Sequence, residues 1–359
     1  MVRRYNEGTW IKLYFVLFIV TIEVGREYYI FMDKRKNKVV VIGGGTGSFT
    51  VLSGLKKYPN LDLTAIVSMA DDGGSTGKLR DEYGVLPPGD VRQCLVALSE
   101  ADALMRQLFN FRFSGGSFTG HNLGNILISA VEKMTGNFND ALKVISLILN
   151  VKGLVLPVTL DKVHLVVELN NGKIITGQNE IANNHLVSRF GVKKIYFDKK
   201  AKANPEALRA IKEADLIIVG PGSFYSSLIP NFLVKGLSEV LSTAAGKKVF
   251  VCNLMNQYGQ TDNFTVPDFV AGIERFTGAN TFQYVIYNTE IPSIKLLSKY
   301  IDEGQPVLFD SESMSGGSKF IGADLVNKKI PKMARGDIMQ RSLIRHDQDK
   351  LAKAIVNLI

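Results

Sequence analysis

One segment near the start of the chain combines a buried strand, a glycine-rich turn and a helix. The run Val39–Ile42 is continuous, apolar and β-branched, which predicts a strand covered on both faces. A glycine-rich turn follows it, Gly43-Gly44-Gly45-Thr46-Gly47-Ser48. Apolar residues at helical spacing continue to Leu55, and a second buried strand occupies Leu63–Ser68. These elements make one βαβ unit, so the sheet begins parallel.

Strand-length apolar runs alternate with helical patterns over the second half of the chain. Helical spacing separates most of the runs, for example over residues 226–243 and 291–300. The predicted strands are Leu216–Val219, Lys248–Cys252, Tyr284–Tyr287 and Val307–Phe309. This alternation predicts an α/β fold with a Rossmann-like doubly wound, mostly parallel sheet.

The middle of the chain has a different pattern. Residues 89–150 have helical spacing throughout, with a turn predicted at 114–117. Further on, two alternating segments, 163–169 and 173–176, flank Asn170-Asn171-Gly172, and Asn-Gly is a strong hairpin signal. We therefore expect a small antiparallel insertion over residues 154–200.

Residues 1–37 are interpreted as an N-terminal extension to a single domain over 38–359. The apolar run Leu13–Ile22 follows Arg3 and Arg4 and resembles the core of a signal peptide, but no small-residue cleavage motif comes after it. The run is also shorter than the about 20 apolar residues that span a bilayer, so no membrane partner is expected. Our hypothesis is that translation starts at Met32 and that the extension is absent from the native protein.

Charge and cysteine content exclude several classes of protein. The formal net charge is +9, and residues 1–38 contribute +4 of it with eight basic and four acidic side chains. Basic residues elsewhere are scattered and are not interleaved with aromatic ones, so no nucleic-acid partner is expected. Cys94 and Cys252 form no CxxC pattern, which disfavours disulfides and zinc and fits a cytoplasmic protein.

The glycine-rich turn is the first candidate binding loop. Glycines after a buried strand let backbone N–H groups approach a phosphate, and the dipole of the following helix favours its charge. The turn matches the start of the dinucleotide fingerprint, but Ser48 replaces its third glycine and the Walker A spacing is absent. A tight strand-to-helix turn without a ligand explains the same residues. The predicted ligand contacts here are Gly43, Gly44, Gly45, Thr46 and Gly47.

A second loop follows the second strand, at the edge where open α/β sheets bind ligands. The position of Asp71 fits a carboxylate that binds a ribose. In the alternative without a ligand, Asp71 caps a turn and Asp72 is solvated. Carboxylates beside glycines also suit Mg²⁺, which Asp71, Asp72 or Asp90 would hold. The predicted ligand contacts in this loop are Asp71, Asp72, Gly73, Gly74 and Ser75.

Two further segments add polar side chains to the candidate site. Asp90 and Gln93 have capping-box spacing, so Asp90 either starts a helix or binds ligand. Arg92 in the same first turn opposes the helix dipole unless an anion is nearby, which favours ligand contact. Helical spacing puts three further predicted contacts on one face, although a lone histidine is more often a packing or capping residue than a base. These are His121, Asn122 and Asn125.

A third glycine-containing loop follows the predicted strand Leu216–Val219. It resembles an anion-binding nest rather than a nucleophile elbow, because GxSxG is absent and no Ser-His-Asp triad is apparent. No residue is therefore predicted to be catalytic. Arg345 is expected to reach a phosphate, and Asp347 to cap the last helix. The predicted contacts after this strand and the next are Pro221, Gly222, Ser223, Tyr225, Ser226 and Asn253.

Five motifs follow one another along the chain, and they are IGGGTG, MADDGGSTGKLRDEYGVLPPGDVRQCLVAL, GHNLGNILISA, GPGSFYSSLIPN and RHD. Together they resemble the bacterial gluconeogenesis-factor branch of the CofD/YvcK, or 2-phospho-L-lactate transferase, superfamily. The resemblance extends over residues 38–359. The resemblance implies a Rossmann-like domain with a smaller inserted segment, usually as a homodimer.

The resemblance also implies two alternative functions. The bacterial branch is associated with gluconeogenic growth, cell shape and wall synthesis, and with binding of UDP-sugars or dinucleotides. We accordingly expect a cytoplasmic regulator that binds UDP-N-acetylglucosamine or NAD, needs no cofactor and acts on a protein partner. The transferase branch implies Mg²⁺-dependent transfer of a phospholactyl group to a deazaflavin, but residues 71–94 depart from its pattern. A third interpretation, an NAD-dependent dehydrogenase, is disfavoured because the sequence supplies no suitable acid or base to face the nicotinamide.

Overall fold

The computed structural model describes residues 21–24, 27–30, 35–298, 300, 304–312, 317–328 and 344–359. Most of the predicted apolar run at 13–22, and the hypothetical start at Met32, lie outside these residues. In the described ranges, no helix combines the length and apolar character that crossing a bilayer requires.

The strands of the described residues form three sheets. In chain order they are β1 (Thr21–Val24), β2 (Glu27–Ile30), β3 (Asn37–Gly43), β4 (Leu61–Val67), β5 (Leu154–Pro157), β6 (Leu165–Leu169), β7 (Ile174–Thr176), β8 (Val192–Phe197), β9 (Leu216–Val219), β10 (Lys247–Val251), β11 (Tyr284–Asn288) and β12 (Lys319–Ala323). β1 and β2 pair as an antiparallel hairpin.

The helices separate most of these strands. They are α1 (Gly45–Leu55), α2 (Gly74–Tyr83), α3 (Gly89–Leu98), α4 (Ala103–Asn110), α5 (Leu123–Thr135), α6 (Phe138–Ile148), α7 (Gln178–Ala182), α8 (Leu186–Phe190), α9 (Pro205–Glu213), α10 (Ile229–Phe232), α11 (Leu237–Thr243), α12 (Val266–Thr277), α13 (Ile294–Leu297) and α14 (Gln348–Val356). A π-helical turn, Phe224–Leu228, directly precedes α10.

The main sheet consists of seven described strands in the order β12–β11–β10–β9–β3–β4–β5, and every neighbouring pair is parallel. The chain winds outward through β4 and β5, and then returns to wind the other way from β9. The strand order therefore reverses between β3 and β9, which is the position where such sheets bind ligands. The predicted Rossmann-like doubly wound α/β fold is confirmed.

The central strands are apolar because both faces of the sheet are covered. All four residues of β9 and residues 39–42 of β3 are buried. Helix α1 packs against α3 and α14, whereas α11 packs against α9 and α12. Continuous β-branched runs suit such strands, since neither face can carry polar side chains without a hydrogen-bond partner.

A small antiparallel sheet, ordered β7–β6–β8, interrupts the main sheet's alternation. The predicted hairpin is present, and Gly172 in its turn has a φ of +83°. Its start differs from the predicted position at residue 154. Leu154–Pro157 pairs in parallel with β4 and belongs to the main sheet, as its continuous apolar character suits.

Two predictions on the second half of the chain were wrong in detail. Residues 307–309 are not a strand, and the last strand of the sheet is instead β12, which is largely half-buried and therefore has a weak apolar signal. The helix predicted over 226–243 is divided, because Pro230 lacks an N–H donor and Gly236 has a φ of +99°. Of the helix predicted over 291–300, the described residues contain the turn α13.

Candidate functional site

A cavity of about 550 Å³ lies at the carboxyl ends of β3, β9 and β10, where the strand order reverses. Its walls come from the α1 N-terminus, the two loops after β9 and β10, the α7–α8 segment and the residues before α14. The lining residues are Thr46, Gly47, Thr50, Ala182, Asn183, His185, Pro221, Gly222, Ser223, Asn253, Leu254, Met255, Asn256, Gln257, Tyr258, Tyr300, Ile344, Arg345 and His346.

The glycine-rich turn brings the β3 and β9 loops into direct contact. A Cβ atom at Gly47 would lie 2.0 Å from the carbonyl oxygen of Pro221, so no larger residue fits there without a backbone shift. Gly45 has a φ of +60°, a conformation that favours glycine. The glycines therefore serve the close approach of two loops, while Thr46 and Gly47 also line the cavity.

Two of the expected phosphate donors are hydrogen-bonded within the chain itself. The Gly45 N–H donates to the carboxylate of Asp90. The Gly222 N–H donates to Oδ1 of Asn253 at 3.1 Å, and Nδ2 of Asn253 donates back to the Gly222 carbonyl at 2.9 Å. Asn253 thus fixes the β9 loop, and the first turn of α1 remains the backbone segment best placed for an anion.

Asp90 does not cap α3. That helix begins at Gly89 after Pro88, which has no side-chain cap, and Asp90 lies in its first turn. The capping-box interpretation of Asp90 was therefore wrong. Its carboxylate instead contacts the glycine-rich turn, since a Cβ atom at Gly44 would lie 2.3 Å from Asp90 Oδ2.

Asp71 and Asp90 form a pair of neighbouring carboxyl groups. Burial, and to a smaller extent the charge of Asp71, raise the pKa of Asp90 to about 8, against the opposing effects of Arg92 and the Gly45 N–H. Burial also raises the pKa of Asp71, although its Oδ1 accepts the Gly73 N–H at 3.0 Å. The pair therefore retains a proton near neutral pH, in the absence of a cation.

Asp72 points away from this pair. Its two carboxylate oxygens accept the N–H groups of Gln178 at 3.0 Å and Asn179 at 2.8 Å, at the N-terminus of α7. The side chain is half-buried and both of its oxygens accept hydrogen bonds, so the interpretation of Asp72 as a solvated side chain was wrong. Asp72 connects the β4 loop to the segment that forms one wall of the cavity, whereas Gly73 and Gly74 begin α2.

Ser75 is the centre of a second polar cluster, on the β4 side of the glycine-rich turn. Its Oγ accepts the Asn122 N–H at 3.1 Å and lies 3.4 Å from Nδ1 of His121. Asn122 is the N-cap of α5 and His121 precedes it, so the predicted common helix face was wrong. The side chains converge nevertheless, because Nδ2 of Asn125 lies 3.5 Å from the same hydroxyl.

Arg92 is buried and joins α3 to its neighbours. Its Nε donates to Asn125 Oδ1 at 2.8 Å, and its Nη1 donates to Asn110 Oδ1 at 2.6 Å and to the Phe109 carbonyl at 3.3 Å. Amide and carbonyl oxygens therefore compensate its charge, together with the nearby Asp90. Neither Arg92 nor the Ser75 cluster lines the cavity.

The remaining predicted contacts divide between the cavity wall and the layer behind it. Ser223 and Arg345 line the cavity, while Tyr225 and Ser226 lie in the π-helical turn without lining it. Burial raises the pKa of Tyr225. Asp347 caps α14 as predicted. Its Oδ1 accepts the N–H groups of Asp349 at 3.0 Å and Lys350 at 3.1 Å.

The cavity wall formed by the α7–α8 segment was not predicted from any sequence motif. The rings of His185 and Tyr258 lie 5.4 Å apart across it, and Gln257 Nε2 donates to the Ala182 carbonyl at 2.9 Å. The Ser188 N–H donates to the carbonyl of Gly259 at 2.7 Å. No local motif carries this information, because the small sheet and the β10 loop meet only in the folded chain.

Among the described residues, no group of three or more His, Cys, Asp or Glu side chains could hold a metal ion. A cation at Asp71 and Asp90 would need further ligands from water or from a bound phosphate, which is usual for Mg²⁺. The chemistry of the two carboxylates fits that ion.

Comparison with known proteins gives consistent matches. The family described as 2-phospho-L-lactate transferase CofD matches residues 39–326. A relative from Thermotoga maritima is 42% identical over 320 residues, covering 89% of this chain and 98% of that protein. The gluconeogenesis factor of Bacillus subtilis is 37% identical over 330 residues, covering 90% of this chain and 99% of that protein. A crystal structure of a UPF0052-family protein from Bacillus halodurans has a TM-score of 0.81 at 38% identity. The match covers 89% of this chain and 100% of that one.

Proposed function

Because this chain belongs to the 2-phospho-L-lactate transferase CofD family, and has relatives named gluconeogenesis factor, we propose that it is a regulatory protein that binds a nucleotide-sugar. The observation that carries the proposal is the cavity where the strand order reverses, bordered by the first turn of α1. Ligands of open α/β sheets bind at this position, and helix N-termini favour phosphates.

The composition of the cavity supports an anionic ligand. Its described lining residues include no carboxylate, and they include Arg345. A phosphate group would be held by the α1 N-terminus at Thr46 and Gly47, with Arg345 and the Ser223 hydroxyl around it. The volume of about 550 Å³ suits a ligand of nucleotide size. UDP-N-acetylglucosamine is the preferred candidate, and NAD is the second.

The same composition supports binding rather than catalysis. A general acid or base needs a titratable group within reach of the reacting atoms. The only two histidines among the described lining residues are His185, which is exposed, and His346, whose pKa burial lowers to about 4. In the proposed role the loaded protein, as a cytoplasmic homodimer, acts on a protein partner to adjust carbon metabolism, cell shape and wall synthesis.

Isothermal titration with UDP-N-acetylglucosamine, UDP and NAD tests the proposal. Replacement of the cavity residue, Arg345→Ala, is expected to weaken nucleotide binding by roughly tenfold or more, since it removes a charge-assisted contact. The matched control is Arg209→Ala on the exposed surface of α9, which should bind as the wild type does. Absence of binding heat at millimolar ligand would refute the proposed function.

The Asp71–Asp90 pair favours a second candidate, a Mg²⁺-dependent phospholactyl transferase. The two carboxylates would hold the ion, which when bound supplies charge to stabilise a developing phosphate oxyanion. Incubation with a nucleotide-activated phospholactate, a deazaflavin and Mg²⁺ tests this reaction. Product formed by the wild type and lost in Asp90→Asn, but retained in Asp81→Asn on the exposed surface of α2, would establish the transferase and displace the regulatory proposal.

A further inference from the structure

Two buried hydrogen-bond acceptors at the β10 end of the cavity lack partners. His346 and Asn256 both line the cavity and are 7% and 5% exposed. Within the described part of the chain, neither Nε2 of His346 nor Oδ1 of Asn256 has a hydrogen-bond partner. Buried polar atoms are nearly always paired, and an unpaired one destabilises the protein. A pair of them beside one cavity therefore points to a ligand.

The local hydrogen bonds fix both atoms as acceptors. The ring of His346 bonds to the backbone carbonyl of Cys252, which leaves Nε2 as the unprotonated nitrogen of a neutral imidazole. Nδ2 of Asn256 donates to the Phe264 carbonyl at 3.0 Å, which orients its Oδ1 as the remaining atom. Burial also keeps the imidazole neutral, because it lowers the pKa of His346 to about 4.

The other amides on the cavity wall use their N–H groups within the protein. Nδ2 of Asn253 donates to the Gly222 carbonyl at 2.9 Å, Nε2 of Gln257 donates to Ala182, and Nδ2 of Asn183 donates to the Asn179 carbonyl at 2.8 Å. A nucleobase edge carries acceptors directly beside its N–H donors, such as the two carbonyls that flank N3–H of uracil, and those acceptors would need such donors. A hydroxyl group can donate to a protein acceptor while its own lone pairs face water, so hydroxyls suit this end of the cavity better.

We propose that His346 Nε2 and Asn256 Oδ1 accept hydrogen bonds from sugar hydroxyls, and that they select for a hydroxylated ring in the bound nucleotide. The inference rests on the proposed function, since it assigns one end of the same ligand. β10 lies two strands from β3, a separation of about 10 Å. A nucleotide whose phosphates lie at Thr46 and Gly47 therefore reaches β10 with a sugar. Solvent does not reach the two acceptors in the free protein, so hydrogen bonds to a ligand there require a small movement of the wall.

Two matched pairs of ligands distinguish the ribose from a distal sugar as the source of the hydroxyls. UDP is compared with 2′,3′-dideoxyuridine diphosphate, and UDP-N-acetylglucosamine is compared with the β-methyl ester of UDP, which keeps the ribose and the same charged groups but lacks the distal sugar. We expect the hydroxylated member of one pair to bind the full-length protein at least tenfold more tightly. The pair that shows this preference identifies the ring.

The variant His346→Asn tests the residue assignment, because an amide nitrogen can replace the donor to Cys252 while Nε2 is lost. In this variant, the ratio of affinities for the hydroxylated ligand and its matched partner should fall close to one. The control Asn231→Ser removes another unpartnered buried amide oxygen that does not line the cavity, and it should keep the wild-type preference. In the wild type, the ¹⁵N resonance of His346 Nε2 should shift with the hydroxylated ligand only.

The outcomes separate the two proposals. Nucleotide binding with equal affinity within both pairs, or a preference that persists in His346→Asn without the ¹⁵N shift, would overturn the sugar assignment and leave the proposed function standing. No binding of any of the four ligands by the wild type would refute both. The ¹⁵N measurement on the wild type decides the question even if the variant fails to fold.

Discussion

At the scale of single residues, Gly47 shows how a backbone constraint and a binding site coincide. A Cβ atom there would meet the Pro221 carbonyl oxygen at 2.0 Å. We expect Gly47→Ala to lower the free energy of unfolding by about 1–3 kcal/mol through overpacking, and to weaken nucleotide binding. Urea unfolding and titration measure the two effects. Gly115→Ala is the control, because nothing lies within 4 Å of its Cβ position, and equal losses in both variants would contradict the explanation.

Asp90 gives the protein a distinctive dependence of stability on pH. Its folded pKa of about 8 lies above the unfolded value of about 3.9, so protonation stabilises the folded state. This contribution is complete below about pH 4 and is lost as the pH rises towards about 8. Compared with Asp90→Asn, the wild type should lose on the order of a few kcal/mol over this range, as measured by urea unfolding at several pH values. Parallel pH profiles would contradict the assignment.

The residues of the candidate site were predicted better as loops than as individual side chains. Each glycine-rich loop follows a buried strand, so its place at the ligand-binding edge follows from the parallel sheet. The direction of each side chain depends on distant partners, as Asp72 shows by turning to α7 and Arg92 by turning to α5. Such partners are far apart in sequence, so local spacing cannot identify them.

At the scale of elements, Asp72 connects the ligand-binding edge of the main sheet to helix α7. Asp72→Ala should lower the unfolding free energy by about 0.5–2 kcal/mol and speed hydrogen exchange of residues 178–182, because two helix N–H groups lose their acceptor. It should also weaken ligand binding, since Ala182 and the residues after it line the cavity.

Asp102→Ala is the matched control for this prediction. Asp102 caps α4 by accepting the Met105 N–H at 2.7 Å, and neither residue lines the cavity. Its replacement should cost similar stability without changing the affinity for nucleotide. A loss of affinity in Asp102→Ala equal to that in Asp72→Ala would show that the effect is one of general destabilisation.

The elements that could be predicted are those whose sequence pattern reflects complete burial. Strands β3 and β9 are short, β-branched and buried on both faces, and their positions agree with the predictions. β12 could not be predicted in the same way, because an edge strand with partial exposure and Gly322 lacks that pattern. The hairpin of β6 and β7 was recognisable from its turn residues.

At the scale of the whole molecule, five separate segments meet at the cavity and should respond together to a ligand. Nucleotide binding is expected to slow hydrogen exchange in 46–50, 182–185, 221–223, 253–258 and 344–346, and to raise the unfolding midpoint with ligand concentration. Mass-spectrometric exchange with and without UDP-N-acetylglucosamine measures this. Protection confined to the region of Asp71, Asp90 and Ser75 would instead locate the ligand between the Asp71–Asp90 pair and the second polar cluster.

The pairing of β3 with β9 has a consequence for how this molecule folds. At the start of the two strands, Lys38 and Asp215 hydrogen-bond across a separation of 177 positions. Closing so long a loop costs chain entropy before it gains contacts, which makes high-contact-order pairings slow to form. The candidate site is built on this pairing, so a newly made chain acquires its cavity only when both halves of the sheet have joined. Nucleotide binding would then report on the completed fold rather than on either half.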